Sequence, residues 1–144
     1  MSGLRRDEGS ILPLTIFYGF LALVLVLLVV AASSLYLERK RLFSLADSAA
    51  LVGAEAFSLS DVSTAGERKR PILRSADVAS AVTSFVATTP NAEFESLAVD
   101  AARTDDGRSA TVELSAYWRP PLVSLLVPDG IRIEVTAVAR SVFD

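Results

Sequence analysis

Carboxylates stand in pairs through the second half of the chain, as Asp105-Asp106, Glu93 with Glu95, and Asp100 with Glu113. General acid and base catalysis needs such pairs, one group held protonated and the other ionised. Asp105-Asp106, however, runs directly into Gly107, and aspartate before glycine suits a hairpin turn, where the side chain bonds to its own backbone. The other two pairs fall where strand residues can face water. No glycine-rich phosphate loop or EF-hand spacing accompanies them. The chain has no histidine and no cysteine, which removes Ser-His-Asp and Cys-His nucleophile systems, His- or Cys-based zinc sites, and disulfides. No catalytic, metal or cofactor residue is assigned, and the chain reads as a non-enzyme. Its formal net charge of −3 gives no support for nucleic-acid binding, which calls for a basic surface.

The dominant pattern lies nearer the start. Residues 11–37 carry no charge and sit between Arg5-Arg6-Asp7-Glu8-Gly9 and Glu38-Arg39-Lys40-Arg41. A helix of about 27 residues extends roughly 40 Å, more than the ~30 Å hydrocarbon core of a bilayer. Leucine and valine dominate residues 21–30, and Thr15, Ser33 and Ser34 can bond to the helix's own carbonyls. Tyr18 and Tyr36 suit the two interfaces, and Pro13 falls close to the start, where its missing N–H costs least. A signal peptide cleaved after Ala32 is a competing reading, but the apolar run exceeds the ~7 to 15 residues of a usual signal core. Charge alone leaves orientation open: Arg5 and Arg6 favour a cytoplasmic N-terminus, whereas Arg39, Lys40 and Arg41 favour the reverse.

Beyond the apolar run, Leu35, Leu42, Leu45, Ala46, Ala49, Val52, Gly53 and Ala56 recur at spacings of three and four. This predicts a helix that continues to about Phe57 and lays one face on a folded domain. The small residues Ala46, Ala49 and Gly53 would admit another backbone closely, either within their own core or as contacts between subunits. Residues 58–74 read as a surface loop with a basic stretch, Arg68-Lys69-Arg70-Pro71. A second helix is expected over residues 76–88, with Ser75 as its N-cap and Val78, Val82, Phe85 and Val86 on its apolar face.

Period-two patterns follow. Leu97, Val99 and Ala101 form one inward set, then Val112, Leu114, Ala116 and Trp118, and after the Pro128-Asp129-Gly130 turn Ile131, Ile133, Val135, Ala137 and Ala139. The expected fold is α+β and pilin-like in plan: a long N-terminal transmembrane helix continuing into an amphipathic helix, a second helix, and a three-stranded antiparallel sheet. The organisation reads as a leader-like segment over residues 1–10, a membrane span over 11–37, and a small domain over 38–144. Residues 122–127 are too apolar for a free loop. They read as a turn of helix packed on the core edge, or as an exposed contact patch carried by Leu122 and Leu125.

Two local motifs add a resemblance. Arg6-Asp7-Glu8-Gly9-Ser10 stands before a proline-containing apolar helix, and Tyr36-Leu37-Glu38-Arg39-Lys40-Arg41-Leu42 leads into Ala46-Asp47-Ser48-Ala49-Ala50-Leu51-Val52-Gly53-Ala54. Over residues 1–57 the chain thereby resembles the TadE/TadG-like pilus-assembly proteins of bacterial tight-adherence (Flp) systems, a branch of the type IV pili. The resemblance implies a minor-pilin or pseudopilin-like role, with the N-terminus in the cytoplasm and the small domain outside. It further implies a membrane location, no cofactor, and partners among other pilin-like subunits or the assembly machinery in a hetero-oligomer. A prepilin peptidase cutting between Gly9 and Ser10 is implied as well. Such proteins usually carry a glutamate five residues after the cut, where this chain has Leu14. A carboxylate in lipid needs a positive partner, such as a neighbour's free N-terminus, and Leu14 cannot make that pair. The resemblance therefore implies a minor or membrane-anchored component rather than a shaft subunit. The alternative is a single-pass binding module of the cell envelope unrelated to pili, meeting its partner through the sheet or through residues 122–127.

Overall fold

The computed structural model describes residues 8–57 and 72–140, the side chains of residues 8–10 excepted. The basic stretch at Arg68-Lys69-Arg70-Pro71 and the arginines Arg5 and Arg6 lie outside the described residues.

Helix α1 runs unbroken over Glu8–Ala54. Its composition explains its length, since leucine, alanine and valine fill it and glycine is rare within it. Pro13 lies inside the helix and close to its start, as the sequence suggests. With the helix starting at Glu8, the ladder would ask Pro13 for the N–H that bonds the Gly9 carbonyl, and proline has none to give. The chain divides into two compact units, Met1–Tyr36 and Leu37–Asp144, so α1 belongs to both.

In the second unit, the end of α1 is joined by helix α2, Ser75–Thr88, and by strands β1, Glu95–Arg103, β2, Ser109–Trp118, and β3, Ile131–Arg140. The strands form one antiparallel sheet in the order β1-β2-β3, as the alternation predicts. β2 and β3 pair without a register shift, setting Val112 opposite Ala137, Leu114 opposite Val135 and Ala116 opposite Ile133. Because side chains alternate with period two, that register collects the apolar set on one face. Leu114, Val112, Val78, Val82 and Leu42 are the largest side chains fully buried there.

β1 departs from simple alternation. Its pairing with β2 shifts twice, between Glu95 and Ala98 and between Val99 and Ala101, and Ser96 takes a positive φ of 53°. Val99 faces Leu114 and Ala102 faces Val112, while Ala101 stands opposite Glu113 on the other side of the sheet. The expected inward position of Ala101 is therefore corrected to Ala102, because one inserted residue resets which side chains face the core.

The start of α2 also differs from expectation. Arg74 occupies the N-cap position without a side-chain cap bond. The Ser75 hydroxyl instead donates to the Thr104 carbonyl and accepts from the Thr104 N–H, both at 3.1 Å. Leu73 adds a backbone bond, its N–H donating to the Gly107 carbonyl at 2.9 Å. These contacts tie the beginning of α2 to the β1–β2 turn. At the other end, the Thr89 hydroxyl and Asn91 Nδ2 donate to the carbonyls of Phe85 and Val86, occupying acceptors that every helix C-terminus leaves open.

Candidate membrane and assembly surfaces

Between Ile11 and Val30 the large apolar side chains of α1, including Leu14, Phe17, Leu21, Leu25 and Leu28, are exposed around the helix, with Val24 half-buried. An apolar surface open on every side has no place in water and suits lipid or the apolar faces of other helices. The polar side chains within it are satisfied locally: Thr15 Oγ1 donates to the Ile11 carbonyl at 2.9 Å, and Ser33 Oγ to the Val29 carbonyl at 2.8 Å. This matches the bonding expected of them in a medium without water. The helix is long and apolar enough to cross a membrane.

Gly9 and Ser10 lie in the first turns of α1, and Leu14 sits exposed one turn further on. Ala46 and Ala49 are fully buried, and Gly53 is buried with them. A Cβ placed on Gly53 would stand 3.1 Å from Val78 Cγ1, 3.1 Å from Val82 Cγ2 and 3.2 Å from Ala110 Cβ. The small-residue stripe thus seats α1 against α2 and β2 of its own domain, which leaves these positions no exposed surface.

Residues 122–127 behave differently. They form consecutive tight turns, with Val123 and Ser124 N–H groups donating to the Pro120 carbonyl and those of Leu126 and Val127 to the Val123 carbonyl. The expected turn of helix is present, but its leucines do not pack on the core edge. Leu122 is 55 %, Leu125 79 % and Leu126 85 % exposed. Val123 and Ser124 are half-buried, so it is the leucines of the segment, flanked by Pro120-Pro121 and Pro128-Asp129-Gly130, that the domain leaves uncovered.

The paired carboxylates are occupied structurally. Glu93 meets Arg41 at 3.7 Å, Glu95 meets Arg119 at 2.7 Å, Asp100 meets Arg132 at 3.1 Å, and Arg103 meets both Glu113 at 3.1 Å and Asp105 at 3.3 Å. Arg132 also reaches Glu134 and the buried Ser115 hydroxyl, a cross-strand link that only the register reveals. Asp106 accepts from the Arg108 N–H at 2.8 Å, the Ser109 N–H at 2.7 Å and the Ser109 hydroxyl at 2.9 Å. The Ser109 backbone bond, then those of Arg108 and the hydroxyl, hold its carboxyl down at about 2. Among the described residues, no group of three or more His, Cys, Asp or Glu is arranged to hold a metal ion.

An exposed apolar helix leading into a small α+β domain fits the class of single-pass membrane proteins. Residues 9–56 match a protein family described as putative Flp pilus-assembly TadE/G-like. The resemblance carried by the two motifs holds over that segment, which takes in α1 from Gly9 to its end, and it supports involvement in a Tad pilus system. No curated protein and no solved structure matches the chain.

Proposed function

We propose that this protein is a membrane-anchored minor-pilin or pseudopilin-like component of a tight-adherence pilus assembly system, acting by helix packing and protein contacts rather than by catalysis. The observation that carries the reading is the family match over residues 9–56 on a helix whose apolar surface is exposed on every side. In this reading residues 11–37 cross the cytoplasmic membrane with the N-terminus in the cytoplasm, and residues 38–144 form the domain outside. Leu14 enters lipid at no electrostatic cost, so association with neighbouring helices rests on van der Waals packing. Gly9-Ser10 is the peptide a prepilin peptidase would cut. Pro13 supports that assignment, since it cannot donate the ladder hydrogen bond to the Gly9 carbonyl and so leaves this peptide less firmly held in the helix.

Purification of the tagged chain from native membranes is expected to bring down pilin subunits and the secretion ATPase complex, and deletion is expected to reduce surface filaments. Intact mass of the extracted protein reports on processing: a chain starting at Ser10 supports cutting, whereas recovery of residues 1–9 assigns a permanent uncut anchor. A second reading, an envelope binding module unrelated to pili, draws on the exposed Leu125 and Leu126, which lie outside the matched segment. Normal filaments after deletion would favour it.

A further inference from the structure

We propose that the β2–β3 loop is a second membrane contact, with Leu122, Leu125 and Leu126 seated at the headgroup and acyl boundary. The inference rests on the reading of residues 11–37 as a membrane span, and three observations support it. The first is position within the Leu37–Asp144 unit. Gly53 stands against Ala110 at one end of the sheet, and Arg41 pairs with Glu93 toward the other, where Glu95 lies opposite Tyr117. From Gly53 back to Arg41 the helix covers roughly 18 Å. From Ala110 to Trp118 the strand covers roughly 26 Å. The loop that follows Trp118 therefore lies at the end of the unit where α1 enters it, level with or beyond Arg41, and the charges after Leu37 mark the expected edge of the bilayer.

The second observation is chemical. Leu125 and Leu126 are the most exposed large apolar side chains of the described residues, and they are adjacent. Arg39 and Lys40, exposed at this end of the unit, suit anionic headgroups, while Arg41 and Arg119 there are paired with Glu93 and Glu95. The third is the backbone. A segment entering an apolar medium must satisfy its own polar groups. Here Pro120 and Pro121 have no N–H, the N–H groups of Val123, Ser124, Leu126 and Val127 are bonded inside the loop, and the Ser124 hydroxyl donates to the Pro121 carbonyl at 2.9 Å. The N–H groups of those four residues and the Ser124 hydroxyl are thus already bonded, which lowers the cost of seating the leucines among the headgroups.

The absence of native cysteine allows single labels. Full-length Leu125→Cys, Leu25→Cys and Asp105→Cys variants, each carrying an environment-sensitive fluorophore, are reconstituted in vesicles of phosphatidylethanolamine and phosphatidylglycerol. The label at 125 is expected to show blue-shifted emission, quenching by nitroxides placed shallowly on lipid chains, and roughly tenfold less quenching by aqueous iodide than the label at 105. Adding Leu126→Asp is expected to return the 125 label toward water while circular dichroism stays unchanged. Equal iodide access at 125 and 105 would overturn the proposal. Shielding from iodide without lipid quenching would also overturn it, assigning the patch to a second copy or another protein. Quenching by deep nitroxides at 25 verifies the span independently, so its failure is distinguishable from failure at the loop alone.

Discussion

Asp106 shows how one carboxylate organises a turn. It accepts two backbone N–H bonds and a hydroxyl bond from Arg108 and Ser109, which hold its folded pKa at about 2, below the ordinary aspartate range. A depressed acid contributes its stabilisation above the unfolded value and loses it as pH falls through the folded one. The β1–β2 turn is thus expected to hold at neutral pH and loosen between roughly pH 4 and pH 2. Amide exchange at Arg108 and Ser109 checks this, and Asp106→Asn should speed that exchange at pH 7 and abolish its acid dependence. Glycine matters where the backbone demands it. Gly130 has φ +74°, and a Cβ there would run into Arg119 Cγ and the Trp118 carbonyl, so Gly130→Ala is expected to cost about 1–3 kcal/mol. At Gly53 the obstacle is crowding by Val78, Val82 and Ala110. Gly53→Val is expected to cost a similar ~1–3 kcal/mol through overpacking. Thermal melts of the detergent-solubilised chain measure both.

At the scale of elements, one helix meets two solvents. Leu25 and Leu114 are both leucines in regular structure, yet Leu25 is exposed on the apolar stretch and Leu114 is fully buried in the sheet core. Leu114→Ala is expected to destabilise the domain by about 2–5 kcal/mol. Leu25→Asp should leave the domain fold intact but weaken insertion, since an acid at mid-bilayer costs about 2.5–3.5 kcal/mol. Alkaline extraction should then release that variant from membranes while the parent chain stays in the pellet. β1 offers a sharper comparison. Ala102 faces Val112, whereas Ala101 faces Glu113. Ala102→Lys is expected to cost roughly 1–3 kcal/mol by burying a charge among apolar groups, and Ala101→Lys to change stability by less than about 0.5 kcal/mol. Chemical denaturation of the two variants should separate them, and equal losses would contradict the bulged register. Periodicity could not show this, because an inserted residue changes the phase of a strand without leaving a mark in its composition.

For the whole molecule, the arrangement joins a lipid-adapted helix to a domain without disulfides, with Arg103, Arg119 and Arg132 paired to acids across the sheet. Exposed pairs of this kind contribute no more than about 1 kcal/mol each, so the buried apolar face sets the fold. Sequence alone determined that fold class, the span of α1, the β2 and β3 faces and the family resemblance, because each follows from local periodicity, uninterrupted apolar length or an adjacent string of residues. Tertiary structure decided the rest. It directed the Ser75 hydroxyl to Thr104 instead of its own helix, placed Ala46, Ala49 and Gly53 inside the domain, and left Leu125 and Leu126 outside it. The difference is physical: a side chain's hydrophobicity is written in its identity, but whether it is covered depends on which distant residues arrive to cover it.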